Sequence, residues 1–234
     1  WSVVGAAFNN SVIALCEHGG ELYAGGNFTN PGMHIARWDG TTWQAVGSGV
    51  GVLVNNSVNA IASYNGELYV GGHFQNPAGN IARWNGTVWS PLGSGTGSVF
   101  SLRVFNEALY VGGTFFTAGG NPAKNIARWN GTNWSPVCSG TLPNVATVFA
   151  LREYNEALYA GGYFTSAGGV PALHIAKYTP PTASITPATA IVCNGNPAPL
   201  NANSGNYAYQ WYNSNNVMGG ETNQQLNVTV PGSY

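Results

Sequence analysis

One short string constrains this chain more than any other feature. Glu21-Leu-Tyr-Ala-Gly-Gly26 returns as Glu67-Leu-Tyr-Val-Gly-Gly72, Ala108-Leu-Tyr-Val-Gly-Gly113 and Ala157-Leu-Tyr-Ala-Gly-Gly162. Its leucines, Leu22, Leu68, Leu109 and Leu158, stand 46, 41 and 49 residues apart. Self-similarity at such a period marks a repeat architecture, in which each unit buries its apolar face against a neighbour. Three further strings travel with the first. Val12-Ile-Ala-Leu15 precedes it and recurs as Val58-Asn-Ala-Ile61, Val99-Phe-Ser-Leu102 and Val148-Phe-Ala-Leu151. Ile35-Ala-Arg-Trp38 follows it and recurs at Ile81–Trp84, Ile126–Trp129 and, as Ile175-Ala-Lys-Tyr178, in the fourth unit. Trp43-Gln-Ala-Val-Gly47 is matched by Trp89-Ser-Pro-Leu-Gly93 and Trp134-Ser-Pro-Val-Cys138.

Each unit therefore carries four short runs rich in Val, Ile, Leu, Tyr and Trp, and none holds a helical period over ten residues. Gly-Gly, Asn-Gly and Asp-Gly pairs are read as the turns between the runs. Asn85-Gly86, Asn130-Gly131 and Asp39-Gly40 predict tight hairpins with positive φ at both turn residues. Four antiparallel strands in a unit of about 45 residues predict a β-propeller blade. Trp1-Ser-Val-Val-Gly5 matches the Trp43–Gly47 string, which the fourth unit lacks. The expectation is an all-β chain: a four-bladed propeller over residues 1–178, its ring closed by the N-terminal strand. The alternative is a larger ring of which these four units are part.

Residues 179–182, Thr-Pro-Pro-Thr, read as a linker, and residues 183–234 as part of an immunoglobulin-like sandwich. Trp211 in Tyr-Gln-Trp-Tyr212, eighteen residues after Cys193, is placed as the core Trp of such a fold. The segment is shorter than the roughly 100 residues typical of the fold. A fragment is therefore expected, or a strand supplied by another molecule. A start at Trp1 reads as a processed mature chain or a fragment.

Composition narrows the chemistry. Charged residues are 6% of the chain, against roughly 25% in an average soluble domain. There are 28 Asn and a single Asp, Asp39. Net charge is -1, so no basic footprint for nucleic acid exists. No apolar run reaches the ~20 residues of a spanning helix. Cys16, Cys138 and Cys193 match no zinc spacing, and Cys16 and Cys138 are expected to be free, buried thiols. Low charge with abundant Asn, Gly, Ser and Thr suits an extracellular protein.

The Gly-Gly pairs followed by a strand-borne Trp resemble the kelch type of propeller. The longer pattern, Leu-Tyr-Val-Gly-Gly followed by Ile-Ala-Arg-Trp-Asn-Gly and Trp-x-x-Leu-Gly, resembles the repeats of large secreted bacterial surface proteins of the type IX secretion cargo type. The resemblance covers residues 1–178. It implies a secreted or cell-surface location and a non-enzymatic adhesion or scaffold role. Tyr178 in place of Trp and Cys138 in place of Gly depart from the pattern.

Repeated Trp residues sit at equivalent positions, which favours packing over sugar stacking. Arg37, Arg83, Arg128 and Lys177 share one repeat position, and Glu21, Glu67, Glu107 and Glu156 lie just before each Leu-Tyr. One ion pair or backbone clamp per unit is expected from them, rather than substrate binding. His34 and His174 stand where Asn80 and Asn125 stand elsewhere, which does not make a metal site. A Ser-His-Asp arrangement lacks its carboxylate, since Asp39 fills a turn slot. Glu17, Arg103, Arg152 and Glu153 form the only charge cluster outside the repeat pattern. Glu17 and Glu153 are the only pair on which a glycoside hydrolase could be built.

Loops joining second to third strands, and one unit to the next, are expected on one face. Phe8, Leu53, Phe116, Lys124 and Leu142 are the candidate contact residues there, because loops on a rigid scaffold carry function. Loops packing on each other is the competing reading. No catalytic residue, metal ligand or cofactor is assigned. The expected function is a binding or structural module whose partner is a protein or glycan at the cell surface, with self-assembly or strand complementation as a further possibility. A lectin-like glycan binder and a hydrolase using Glu17 and Glu153 are the alternatives.

Overall fold

The computed structural model describes residues 1–51, 56–77, 79–143 and 145–180, and beyond them only the backbone of five short strands. Among the described residues every regular element is a strand. The chain divides into two compact units, Trp1–Thr179 and Pro180–Tyr234.

In the first unit, the four sequence repeats give four antiparallel sheets. The first sheet holds β1 (Val12–His18), β2 (Glu21–Gly26), β3 (Ile35–Trp38) and β4 (Trp43–Ala45). The second holds β5 (Ser57–Tyr64), β6 (Glu67–His73), β7 (Ile81–Trp84) and β8 (Trp89–Pro91). The third starts with β9 (Ser98–Phe105) and β10 (Ala108–Thr114). A small hairpin of β11 (Thr117–Ala118) and β12 (Asn121–Pro122) follows, and β13 (Ile126–Trp129) and β14 (Trp134–Pro136) complete the sheet. After β15 (Thr141–Leu142), the fourth sheet pairs β16 (Thr147–Tyr154), β17 (Ala157–Tyr163) and β20 (Ile175–Tyr178). Between its last two strands run β18 (Ser166–Ala167) and β19 (Val170–Pro171).

The second unit contains β21 (Ile185–Thr186), β22 (Ala198–Ala202), the hairpin β23 (Tyr212–Asn213) and β24 (Asn216–Val217), and β25 (Gln225–Val228). β22 pairs with both β21 and β25. Cys193 and Trp211 lie outside the described residues.

Register is the same in every sheet. Leu22 faces Trp38, Leu68 faces Trp84, Leu109 faces Trp129 and Leu158 faces Tyr178. Each first strand carries one β-bulge at the same place, with Ile13, Asn59, Phe100 and Phe149 as the extra residues. A bulge sharpens the local twist and leaves its extra residue outside the ladder.

The turns differ from the sequence expectation. The two-residue turns with paired positive φ join first to second strands: Gly19-Gly20, Asn65-Gly66, Asn106-Glu107 and Asn155-Glu156. At Asp39-Gly40, Asn85-Gly86 and Asn130-Gly131 only the glycine has positive φ. There the Asp or Asn side chain caps a four-residue loop: Asp39 Oδ1 accepts from Thr41 N at 2.9 Å and Thr42 N at 2.8 Å. Asn85 and Asn130 repeat this bonding. Such side-chain acceptors substitute for the backbone turn.

The Gly-Gly pairs of the four Leu-Tyr strings are not turns, unlike Gly19-Gly20, Gly119-Gly120 and Gly168-Gly169. They lie inside the second strands, where the first glycine seats a side chain of the next sheet. A Cβ on Gly25 would strike Val58, one on Gly71 would strike Val99, and one on Gly112 would lie 2.6 Å from Val148 Cγ1. Ile61, Leu102 and Leu151 pack beside these valines. Three apolar clusters result, one between each pair of successive sheets. In the second and third sheets the indole N–H of the fourth strand bonds back to the chain that leaves the sheet before it. Trp89 Nε1 donates to the Val46 carbonyl (2.9 Å) and Trp134 Nε1 to the Leu92 carbonyl (3.2 Å).

The expected closing strand is not formed. Residues 1–5 adopt no strand, and no fourth strand pairs with β20 among the described residues. The segment is instead held on the first sheet. Trp43 Nε1 donates to the Val4 carbonyl at 3.0 Å, and Gly5 abuts Trp38 and Trp43. Local packing on the first sheet fixes it there rather than beside β20.

Candidate functional site

The loops that join second to third strands bond to the loops that leave the same sheet. Val50 N donates to Met33 O (3.0 Å), Thr96 N to Gly79 O (2.8 Å) and Thr141 N to Lys124 O (3.1 Å). Both loop sets therefore lie on one side of the array. In the third and fourth units the longer loops fold back as the β11–β12 and β18–β19 hairpins. Their tips dock on the preceding unit: Gly119 N donates to Gly95 O (2.7 Å) and Gly168 N to Gly140 O (2.9 Å). β15 also pairs with β18, and Thr165 N donates to Leu142 O at 2.8 Å. The backbone of this face is thus bonded loop to loop.

One residue before each third strand stands in the left-handed region: His34, Asn80, Asn125 and His174 have φ between 61° and 65°. Asn tolerates that conformation better than most residues, which explains the alternation of Asn with His. Asn80 Oδ1 accepts from Phe74 N (2.8 Å), and Asn125 Oδ1 from Phe115 N (3.1 Å). These side chains brace the loops. Among the described residues no group of three or more His, Cys, Asp or Glu could hold a metal ion.

On this braced backbone, Phe116, Lys124 and Leu142 expose their side chains. Phe8 does not stand free. Its ring packs 4.5 Å from that of Phe28 and 4.9 Å from that of Trp43. Leu53 lies outside the described residues. Sequence reading passed over Val145, Val170 and Leu173, which are exposed on the same loops and hairpins. The length of the Thr165–Leu173 loop was the available signal for two of them.

The charge cluster resolves into one ion pair. Arg103 Nη2, on β9, lies 3.2 Å from Glu153 Oε2 on β16, with both side chains more than a third exposed. Arg152 and Glu17 hold no ion pair among the described residues. Glu17 stands on the first sheet and Glu153 on the fourth, where Arg103 engages it.

The expected ion pair per unit forms in two. Arg37 Nη1 reaches Glu21 Oε1 at 2.9 Å and Arg83 Nη1 reaches Glu67 Oε2 at 3.2 Å. Glu107 and Glu156 sit one residue earlier, inside the turn, and Ala108 and Ala157 take the strand position. A shift of one residue moves a side chain to the other face.

Both Cys16 and Cys138 are free. Burial pushes the Cys16 thiol above its ordinary range. Cys138 is exposed rather than buried. Among the described residues no helix is long and apolar enough to cross a membrane. A scan against protein-family models and a search of curated proteins both find no match to this chain.

Proposed function

We propose that the four sheets of residues 1–179 are blades of a β-propeller, and that Pro180–Tyr234 is part of an immunoglobulin-like module. The chain is then a non-enzymatic binding or structural module of a secreted or cell-surface bacterial protein. The placement at the cell surface, and the type IX route, rest on the sequence resemblance. The contact surface is the loop face carrying Phe116, Lys124 and Leu142.

One observation carries this reading. The longer loops of the third and fourth units are tied down along their backbones and still leave Phe116, Leu142, Val145, Val170 and Leu173 exposed. Exposed apolar side chains on a braced loop face are the candidate contact groups, since a contiguous apolar patch marks an interaction site. Their ligand is a protein or a glycan that offers apolar surface, because the single cation among the contact residues, Lys124, gives little electrostatic selection.

Binding of the purified chain to intact bacterial cells and to a glycan array tests the proposal. The triple change Phe116→Ser, Leu142→Ser, Val145→Ser is expected to remove binding while far-UV circular dichroism stays unchanged. Binding that survives the triple change overturns the assignment to this face. Hydrolysis of a glycan that Glu153→Gln abolishes would overturn the non-enzymatic reading.

A further inference from the structure

We infer that the outer faces of the first and fourth sheets are the two halves of one head-to-tail interface, and that a second copy of this chain supplies the missing half at each end. The inference rests on reading the four sheets as blades of one repeat. It concerns a surface distinct from the loop face.

Three interfaces of one kind are already packed within the chain. Each takes a Val and an Ile or Leu from a first strand and seats them on a Gly of the sheet before. At the ends the same parts are present without partners. Leu15 is 61% exposed, whereas its equivalents Leu102 and Leu151 are 9% and 7% exposed. Val12 is likewise exposed, where Val58, Val99 and Val148 are fully buried. On the fourth sheet, a Cβ on Gly161 would meet only Ala150, at 4.0 Å. Tyr154 is 64% exposed, against 4% for its equivalent Tyr64. Ile175 is exposed where Ile35 and Ile81 are fully buried. The first sheet offers knobs without a seat, and the fourth offers a seat without knobs.

Two further features match the same pair of faces. The first is residues 1–5. Trp43 holds the Val4 carbonyl as Trp89 holds that of Val46 and Trp134 that of Leu92. Residues 1–5 therefore lie where the end of a preceding sheet's fourth strand would lie. A fourth sheet docked there would meet them with the outer edge of β20. By the register of β3 with β4, Tyr178 would face Trp1, Lys177 would face Ser2 and Ala176 would face Val3. The second feature is charge. Arg103 and Arg152 share one repeat position, and Glu17 and Glu153 share the next. Arg103 of the third sheet pairs with Glu153 of the fourth. The same step outward brings Arg152 of the fourth sheet to Glu17 of a first sheet. The charge cluster outside the repeat pattern thus becomes a set of inter-sheet pairs, and it selects this chain's own first sheet as the occupant.

Docking of a second copy leaves the three internal interfaces as they are. In one molecule both faces stay open while the three internal interfaces are packed, so closing the ring within one chain would require those interfaces to change their step. A head-to-tail contact is heterologous, so copies add end to end unless the rotation closes.

Mass measured by sedimentation over a wide concentration range tests this, using the full chain. Wild type is expected to exceed one chain mass as concentration rises. Gly161→Val and Leu15→Glu each alter an open site in the single molecule, so both are expected to fold and to remain single chains. Mixed together, they retain one intact half each and are expected to form a dimer and nothing larger. Arg152→Glu is expected to weaken association by up to about fivefold, as for a partly exposed ion pair. Mixing with Glu17→Arg should restore it. A wild type that stays a single chain at every concentration overturns the inference, and so does a W1C/Y178C variant whose disulfide closes within one chain. So does a mixture of the two blocked variants that forms no dimer. Phe116→Ser leaves the mass unchanged, so failure of loop-face binding and failure of self-association are separate results.

Discussion

Substituting alanine for two equivalent glycines, Gly112 and Gly161, should move stability in opposite directions. Neither has a positive φ, so the backbone accepts alanine at both. At Gly112 the new methyl would sit 2.6 Å from Val148 Cγ1, 3.2 Å from Val148 Cβ and 3.4 Å from Leu151 Cδ1. Ordinary carbon contacts are about 3.5–4.0 Å. Val148 is fully buried, and valine has little χ1 freedom with which to step aside. Overpacking of this kind costs about 1–3 kcal/mol. The gain from a stiffer unfolded chain offsets about 0.4–1 kcal/mol of it. At Gly161 the methyl meets only Ala150 at 4.0 Å, so that gain stands alone. For a unit of this size each kcal/mol moves Tm by roughly 2–4 °C. Gly112→Ala is therefore expected to lower Tm by several degrees and Gly161→Ala to raise it slightly. Thermal and urea unfolding, at a protein concentration where the chain is single, read the difference. A changed urea slope would show sheets unfolding separately, as repeat arrays can. Equal loss at both positions would refute the reasoning, because the glycine would then be required by its own sheet and not by the next.

Cys138 takes a φ of 50° where Gly47 and Gly93 stand in the matching loops. Cys138→Gly removes that strain and should stabilise by about 0.5–1 kcal/mol in urea unfolding, the strain relieved less the added chain entropy. Asp39 is held below the usual carboxylate range, chiefly by the backbone N–H groups of Thr42 and Thr41. Its contribution is present above the ordinary value of 3.8 and is lost as pH falls through the lowered one. Asp39→Asn, which copies Asn85 and Asn130, should keep neutral-pH stability and flatten this part of the decline below about pH 4 in a Tm-against-pH series. A thiol reagent at neutral pH should modify Cys138 well before Cys16, whose thiolate burial disfavours, and peptide mapping of the labelled sites checks the order.

The amino-acid sequence by itself determined the strands and their pairing. Leu22 against Trp38, repeated in four units, and Trp38 against Trp43, repeated in three, follow from alternation and loop length, which are local. It also exposed the charge cluster of Glu17, Arg103, Arg152 and Glu153, since these residues broke the pattern. Tertiary structure alone decided what the Gly-Gly pairs do. Their role depends on Val58, Val99 and Val148 arriving from the neighbouring sheet, and within one repeat they resemble turns. Glu107 and Glu156 needed the hairpin register, because one residue of offset carries a side chain out of reach of its arginine. Phe8 was legible as a loop aromatic, but its contact with Phe28 and Trp43 is a matter of folding back in space. The place of residues 1–5 was likewise settled in three dimensions. Their match to a fourth strand is written in the sequence, but which sheet edge they can reach depends on the step at three packed interfaces, which no single repeat encodes.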